Sequence, residues 1–200
     1  FNITHVEVEL AMLKRKIAVI GLGYVGLPLA VEFGRKGEVI GFDIDQSRID
    51  QLNSGFDRTS EVSLQELTDS MFLKYTSNET ELATCDIFII TVPTPVDKNL
   101  VPDLNFLKRA SELVGGYLRR SGIVIYESTV FPGCTEEICV PILEEKSNLI
   151  FNRDFYCGYS PERVNPGDRI NKLPNIKKIT SGSTPEASKT INALYSEIIK

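Results

Sequence analysis

Lys16–Asp43 reads KIAVIGLGYVGLPLAVEFGRKGEVIGFD. An apolar run, Ile17–Ile20, enters Gly21-Leu22-Gly23-Tyr24-Val25-Gly26 and then a helix-like segment. A second apolar run, Val39–Phe42, ends in the acid Asp43. Strand, glycine turn, helix, strand and acid in that order form a dinucleotide-binding fingerprint in the context it requires. Gly21 permits the tight turn. Gly23 lets backbone N–H groups approach a pyrophosphate with no Cβ in the way. Gly26 lets the helix lie close to the strand, and the helix N-terminus offers N–H groups and a partial positive charge to phosphates. Tyr24 and Val25 complete the phosphate-binding turn. Asp43 stands about 20 residues on, where a carboxylate accepts from both ribose hydroxyls and repels the extra phosphate of NADP. NAD is therefore the expected cofactor. Arg48 works against that preference, because an arginine nearby can accommodate the phosphate.

Working outward, residues 45–53 read as a helix ended by Asn53-Ser54-Gly55, and Ser63-Leu64-Gln65-Glu66 as a capping box. Leu73–Thr76 reads as a strand and Glu79–Ala83 as a short helix. Asp86–Ile90 is a continuous apolar run of buried-strand type that stops at Thr91-Val92-Pro93-Thr94-Pro95. Asp103 is expected to cap a helix, with Gly115-Gly116 placed awkwardly inside it. Ile123–Tyr126 is the next strand, leading to Glu127-Ser128-Thr129 and a helix over about 135–146. Phe155–Tyr159 is another, leading to Ser160-Pro161-Glu162-Arg163. A polar loop spans Asn165–Asn175, Ile176–Thr180 reads as a strand, and Ser183-x-x-Glu186 with Pro185 opens the last helix.

Strands alternating with helices predict an α/β fold, a doubly wound and mostly parallel sheet of Rossmann type. Residues 1–15 read as an N-terminal extension and 16–200 as one nucleotide-binding domain. In such sheets ligands bind beyond the carboxyl ends of the strands. Four unusual loops follow strands here, so their side chains are expected to converge on one crevice.

The bulk properties narrow the class. The 200 residues are 42% hydrophobic and 24% charged with a net charge of −5, which argues against a nucleic-acid surface or an anionic membrane as partner. Anion binding must then be local, made by backbone amides. No apolar run has the length of a membrane span and no signal-peptide pattern is present, so the cytoplasm is expected. Cys85, Cys134, Cys139 and Cys157 show no metal spacing. Cys134 and Cys139, five apart on an expected helix, do not share a face well, and all four read as buried thiols of a reducing compartment. The lone histidine, His5, argues against a histidine-based triad or metal site.

Together IAVIGLGYVGLPLA, IITVPTP, YESTVFPG and YSPERVNPG resemble, in order, the N-terminal domain of the UDP-glucose/GDP-mannose dehydrogenase family. The YSPERVNPG form resembles the branch acting on UDP-N-acetylhexosamines. The glucose branch has a phenylalanine after the glutamate and an acid a few residues later, where this chain has Arg163 and, close by, Pro166. The resemblance implies oxidation of a sugar C6 alcohol to a carboxylate in two NAD-dependent steps, through a cysteine-bound thiohemiacetal and thioester that water cleaves. It implies that Thr91, Val92, Pro93 and Thr94 wall the adenosine or ribose part of the cofactor, and that Arg48 contacts the adenosine ribose region, the alternative being an ordinary exposed helix charge. Ser128 and Thr129 are implied beside the nicotinamide, with a hydroxyl there holding a water. Glu162 is implied to activate that water or relay protons, and Arg163 to bind the sugar or diphosphate. The family's catalytic cysteine, with a lysine and an asparagine on a long inter-domain helix, lies beyond this stretch. The chain is thus expected to be a truncated part lacking the second domain, inactive alone, from a homo-oligomer that joins through the missing part. Two other readings are kept: UDP-glucose 6-dehydrogenase, and a non-catalytic nucleotide-sensing module.

Overall fold

The computed structural model describes residues 15–96, 98–99, 101–163 and 173–199. Most of the expected N-terminal extension and of the 165–175 loop lies outside those residues. Seven strands form one sheet: β1 (Ile17–Ile20), β2 (Val39–Phe42), β3 (Leu73–Thr76), β4 (Ile87–Ile90), β5 (Gly122–Tyr126), β6 (Phe155–Tyr159) and β7 (Ser181–Gly182). Their spatial order is β3-β2-β1-β4-β5-β6-β7. All neighbours pair parallel except β6 and β7, which pair antiparallel. The order reverses between β1 and β4, the switch point at which a doubly wound sheet opens a crevice.

The helices are α1 (Gly26–Gly34), α2 (Gln46–Asn53), α3 (Leu64–Asp69), α4 (Asn105–Tyr117), α5 (Val140–Ser147) and α6 (Pro185–Ser196). β1, β2, β4 and β5 are buried at every residue, because helices cover both faces. The period of two splits the strands between two cores. Ile17, Val19, Ile87, Ile89, Ile123 and Ile125 face α1 and α6 through Leu27, Ala30, Ile191 and Leu194. Ala18, Ile20, Phe88, Ile90 and Val124 face α4 and α5 through Leu107, Val114, Val140 and Leu143. Among the described residues, no helix is long and apolar enough to cross a membrane.

Several local expectations are corrected. Residues 176–180 are not a strand; the edge pairing falls instead on β7, where Tyr159 and Gly158 meet Ser181 and Gly182. α6 is capped by Thr184, whose side chain accepts from the Ala187 N–H, while Ser183 Oγ accepts from Cys157 N. Asp103 accepts from Asn105 N just outside α4, whose cap position is Leu104. Gly115 does not break α4. A Cβ there would stand 2.7 Å from that of Lys146, so the glycine lets α4 and α5 approach closely. The helix expected over 135–146 begins as a π turn, Thr135–Cys139, and becomes α-helical at Val140. Pro141 has no N–H to donate one turn back, which favours the wider turn. Cys134 and Cys139 bracket that turn and both lie fully buried in the same core cluster, against the expectation for a regular helix. All four cysteines are buried and free.

Candidate cofactor site

The site grows from one residue. Leu22, fully buried, is held on both sides: its N–H donates to Asp43 Oδ2 at 2.8 Å and its carbonyl accepts from Arg48 Nε at 2.9 Å. Asp43 Oδ1 also accepts from Asp45 N at 3.0 Å, which turns the chain into α2. The acid at the end of β2 therefore ties the end of β2 to the glycine turn before any ligand arrives. Arg48 is 1% exposed and pairs with the equally buried Asp57 at 2.8 Å. It is neither an exposed helix charge nor a group reaching outward; it supports the turn from beneath. Burial raises the Asp57 pKa, but hydrogen bonds from Thr59, Val62 and Arg48 outweigh it and leave the carboxyl below its ordinary value. Asp57 carried no sequence signal beyond its polar loop.

The turn itself has the shape a pyrophosphate requires. Gly21 has φ +95°, a conformation that favours glycine. A Cβ on Gly26 would stand 1.9 Å from the Gly21 carbonyl oxygen and 2.3 Å from Thr91 Oγ1, whereas one on Gly23 would meet nothing within 4 Å. Gly26 is thus closed by packing, and Gly23 opens to the space above the loop. The cap residue of α1, Val25, makes no side-chain cap hydrogen bond, so the helix N-terminus keeps donors for an anion. Tyr24 is exposed beside them.

A cleft of about 480 Å³ opens at the switch point, lined by Gly21, Asp43, Val92 and Pro93. Ile44, Phe106, Arg109 and Leu113 also line it, and sequence reasoning missed them. They sit on the β2 exit and on α4, outside any motif, and only the fold brings them to the glycine turn. A dinucleotide fits this arrangement: a donor-bearing turn, a carboxylate at ribose height and apolar walls for a flat base. Arg48 is committed beneath the turn, its Nε to the Leu22 carbonyl and a terminal nitrogen to Asp57.

Hydrogen bonds then lock the loops together along the carboxyl edge of the sheet. Thr91 Oγ1 donates toward the Gly21 carbonyl at 2.7 Å. At 7% exposed, Thr91 supports the turn rather than walling the cleft. Ser128 Oγ donates to the Val92 carbonyl at 2.6 Å and Thr94 Oγ1 to the Thr129 carbonyl at 2.6 Å. Ser128 is buried with its proton committed, so toward a ligand it can only accept. Thr129 is exposed at the next position. Glu162 is half-buried, with Oε1 accepting from Arg163 N at 2.6 Å, and Arg163 is exposed. The four loops expected to converge do follow adjacent strands, β1, β4, β5 and β6.

One group at this edge went unread in the sequence. Glu127, 1% exposed, pairs with Lys178 and accepts from the Tyr195 hydroxyl. Burial pushes its pKa up, while Lys178 and Tyr195 pull in the opposite direction without cancelling the shift.

Comparison with known proteins agrees with this geometry. The profile of the UDP-glucose/GDP-mannose dehydrogenase family, NAD binding domain, matches residues 15–199. A UDP-N-acetyl-D-glucosamine 6-dehydrogenase of Pseudomonas aeruginosa is 57% identical over 184 residues, covering 92% of this chain and 44% of that protein. Protein CapL of Staphylococcus aureus is 51% identical over 187 residues, covering 94% of this chain and 44% of CapL. The structure of a UDP-D-ManNAc dehydrogenase from Pyrococcus horikoshii superimposes with a TM-score of 0.83 at 36% identity, covering 92% of this chain and 45% of that one. The chain thus spans less than half the length of the curated relatives it matches. A motif, a switch-point cleft and a family profile point the same way: the chain belongs to the UDP-glucose/GDP-mannose dehydrogenase family and corresponds to its NAD binding domain.

Proposed function

We propose that this chain is the cofactor-binding part of a UDP-N-acetylhexosamine 6-dehydrogenase that makes a uronic acid precursor for a surface polysaccharide. The observation that carries the reading is the carboxyl edge of the sheet, where the loop after β4 both lines the Gly21–Asp43 cleft and hydrogen-bonds to the loop bearing Ser128 and Thr129, with Glu162 following the next strand, β6. The names of two relatives at 55% and 57% identity, both UDP-N-acetyl-D-glucosamine 6-dehydrogenases, support the N-acetylhexosamine substrate over UDP-glucose. Glu162 beside the turn at Pro161 favours an enzyme over a nucleotide sensor.

The overall change takes a CH2OH group, one water and two NAD to a carboxylate, two NADH and three protons. When bound, NAD supplies the hydride acceptor. The chain's own residues do the rest of the work assigned to this half. Gly23 to Gly26 hold the pyrophosphate, Asp43 accepts from the ribose, and Val92 and Pro93 flank it. Thr129 holds a water at the edge, and a Glu162 carboxylate oxygen takes its proton as it attacks the acyl carbon. Arg163 meets the sugar or diphosphate. The thiol nucleophile belongs to a second domain outside this chain, which also supplies the contacts of a homo-oligomer. Free buried cysteines suit a reducing compartment such as the cytoplasm.

In the full-length protein, UDP-N-acetylglucosamine is expected to yield two NADH per sugar, with UDP-glucose a poor substrate. Glu162→Gln is expected to lower kcat by about 100- to 10,000-fold and to let the thioester accumulate, with NAD affinity unchanged. Near-normal turnover of Glu162→Gln would remove the base from Glu162.

A further inference from the structure

The Lys178 side chain is 2% exposed and joins two loops of the site. Its ammonium pairs with Glu127, which directly precedes Ser128 and Thr129, and donates to the Pro161 carbonyl at 3.3 Å. That carbonyl belongs to the peptide unit whose nitrogen is Glu162's. The Tyr195 hydroxyl holds the other Glu127 oxygen from α6, and the Lys178 ammonium lies 5.8 Å from the Tyr195 ring centre. Ser160, fully buried, closes the same corner: its N–H donates to the Tyr126 carbonyl at 3.0 Å and its Oγ to the Ile179 carbonyl at 2.9 Å.

Stability alone is a weak reason for such a pair. Removing two charges from water costs several kcal/mol per ion, and apolar residues of similar volume are often as stable in their place. What a buried cation offers that an apolar side chain does not is a fixed donor to a particular carbonyl. From this we infer that Lys178 is a positioning residue, resting on the dehydrogenase reading above: it sets the Glu162 peptide against the Ser128–Thr129 loop, so that the carboxylate of Glu162 and the hydroxyl of Thr129 address one water.

The test uses the full-length protein with NAD and UDP-N-acetylglucosamine, and hydrogen exchange at the Glu162 and Arg163 amides. Lys178→Met is expected to lower kcat by about 100-fold, the scale of a misplacement of roughly 1 Å, while leaving KM for NAD unchanged. Exchange at those two amides should speed up while that of β1 and β4 stays as it was. Lys178→Arg should recover most of both. Lys178→Met leaves the Glu127 carboxylate buried without its cation, so Glu127→Gln/Lys178→Met is the companion variant. It keeps an acceptor for Tyr195, should fold, and should show the same kcat loss. Wild-type kcat and unchanged exchange in either folded variant would overturn the inference. If the wild-type protein makes no sugar-dependent NADH, the dehydrogenase reading fails, and the exchange measurement decides the positioning role by itself.

Discussion

Leu22 shows how one residue's backbone can set up a site. Its N–H and carbonyl are held by Asp43 and Arg48, whose side chains come from either side of the turn into α2. Asp43 was legible as a ribose acceptor from its spacing, but its service to the Leu22 N–H was not, because that bond exists only once β1 and β2 pair. Arg48 was legible as a charge near the site, and its burial was not, because its partner Asp57 lies in a loop with no period to read. Breaking a buried pair from one side leaves the other charge uncompensated, at a cost of about 3–5 kcal/mol. Asp57→Asn should therefore lower the melting midpoint at neutral pH by roughly 10 °C. The pH dependence has a definite sign. Asp57 is depressed from 3.8 in the fold, so its contribution is complete above that value and is lost as pH falls through its lower folded value. Below about pH 4 the gap between wild type and Asp57→Asn should close; a gap that stays constant down to pH 2 would contradict the pairing.

The glycine turn separates two demands that a motif merges. Gly26 is required by packing, since its Cβ would collide with the Gly21 carbonyl and Thr91. Gly23 faces open space. Gly26→Ala should cost stability, about 1–3 kcal/mol or more, read by denaturant unfolding. Gly23→Ala should leave unfolding unchanged and weaken NAD by about tenfold or more, since the added methyl occupies the approach of the pyrophosphate. Equal effects of the two on stability would contradict this division. The strands flanking the turn were readable because burial on both faces leaves a continuous apolar run. The elements that were misread are those decided by tertiary partners. β7 is a two-residue edge pair fixed by β6, and the π turn before α5 has only Pro141 as its trace in the sequence. Glu127 and Lys178 are 51 residues apart in the chain and meet only through the β5–β6 neighbourhood.

At the scale of the molecule, the crevice at the reversal of strand order was predictable from alternating strands and helices, and its apolar wall on α4 was not. The thiols bear on what this chain can do alone. Burial pushes Cys85 up to about 11 and Cys139 to about 12, and raises Cys134 and Cys157 as well. At neutral pH they are poor nucleophiles. Alkylation of the native chain should be slow at all four and become fast on unfolding, and the isolated chain should make no NADH with any UDP-sugar. Rapid native labelling of one thiol, or steady NADH production, would place the nucleophile inside this chain. The most direct test of the account is calorimetry of the isolated chain with NAD and NADP, repeated with Asp43→Ala. The account predicts that NAD binds more tightly than NADP, and that Asp43→Ala weakens NAD and narrows the gap, because one change removes both the ribose acceptor and the repulsion of the extra phosphate. Tighter binding of NADP, or NAD affinity untouched by Asp43→Ala, would contradict it.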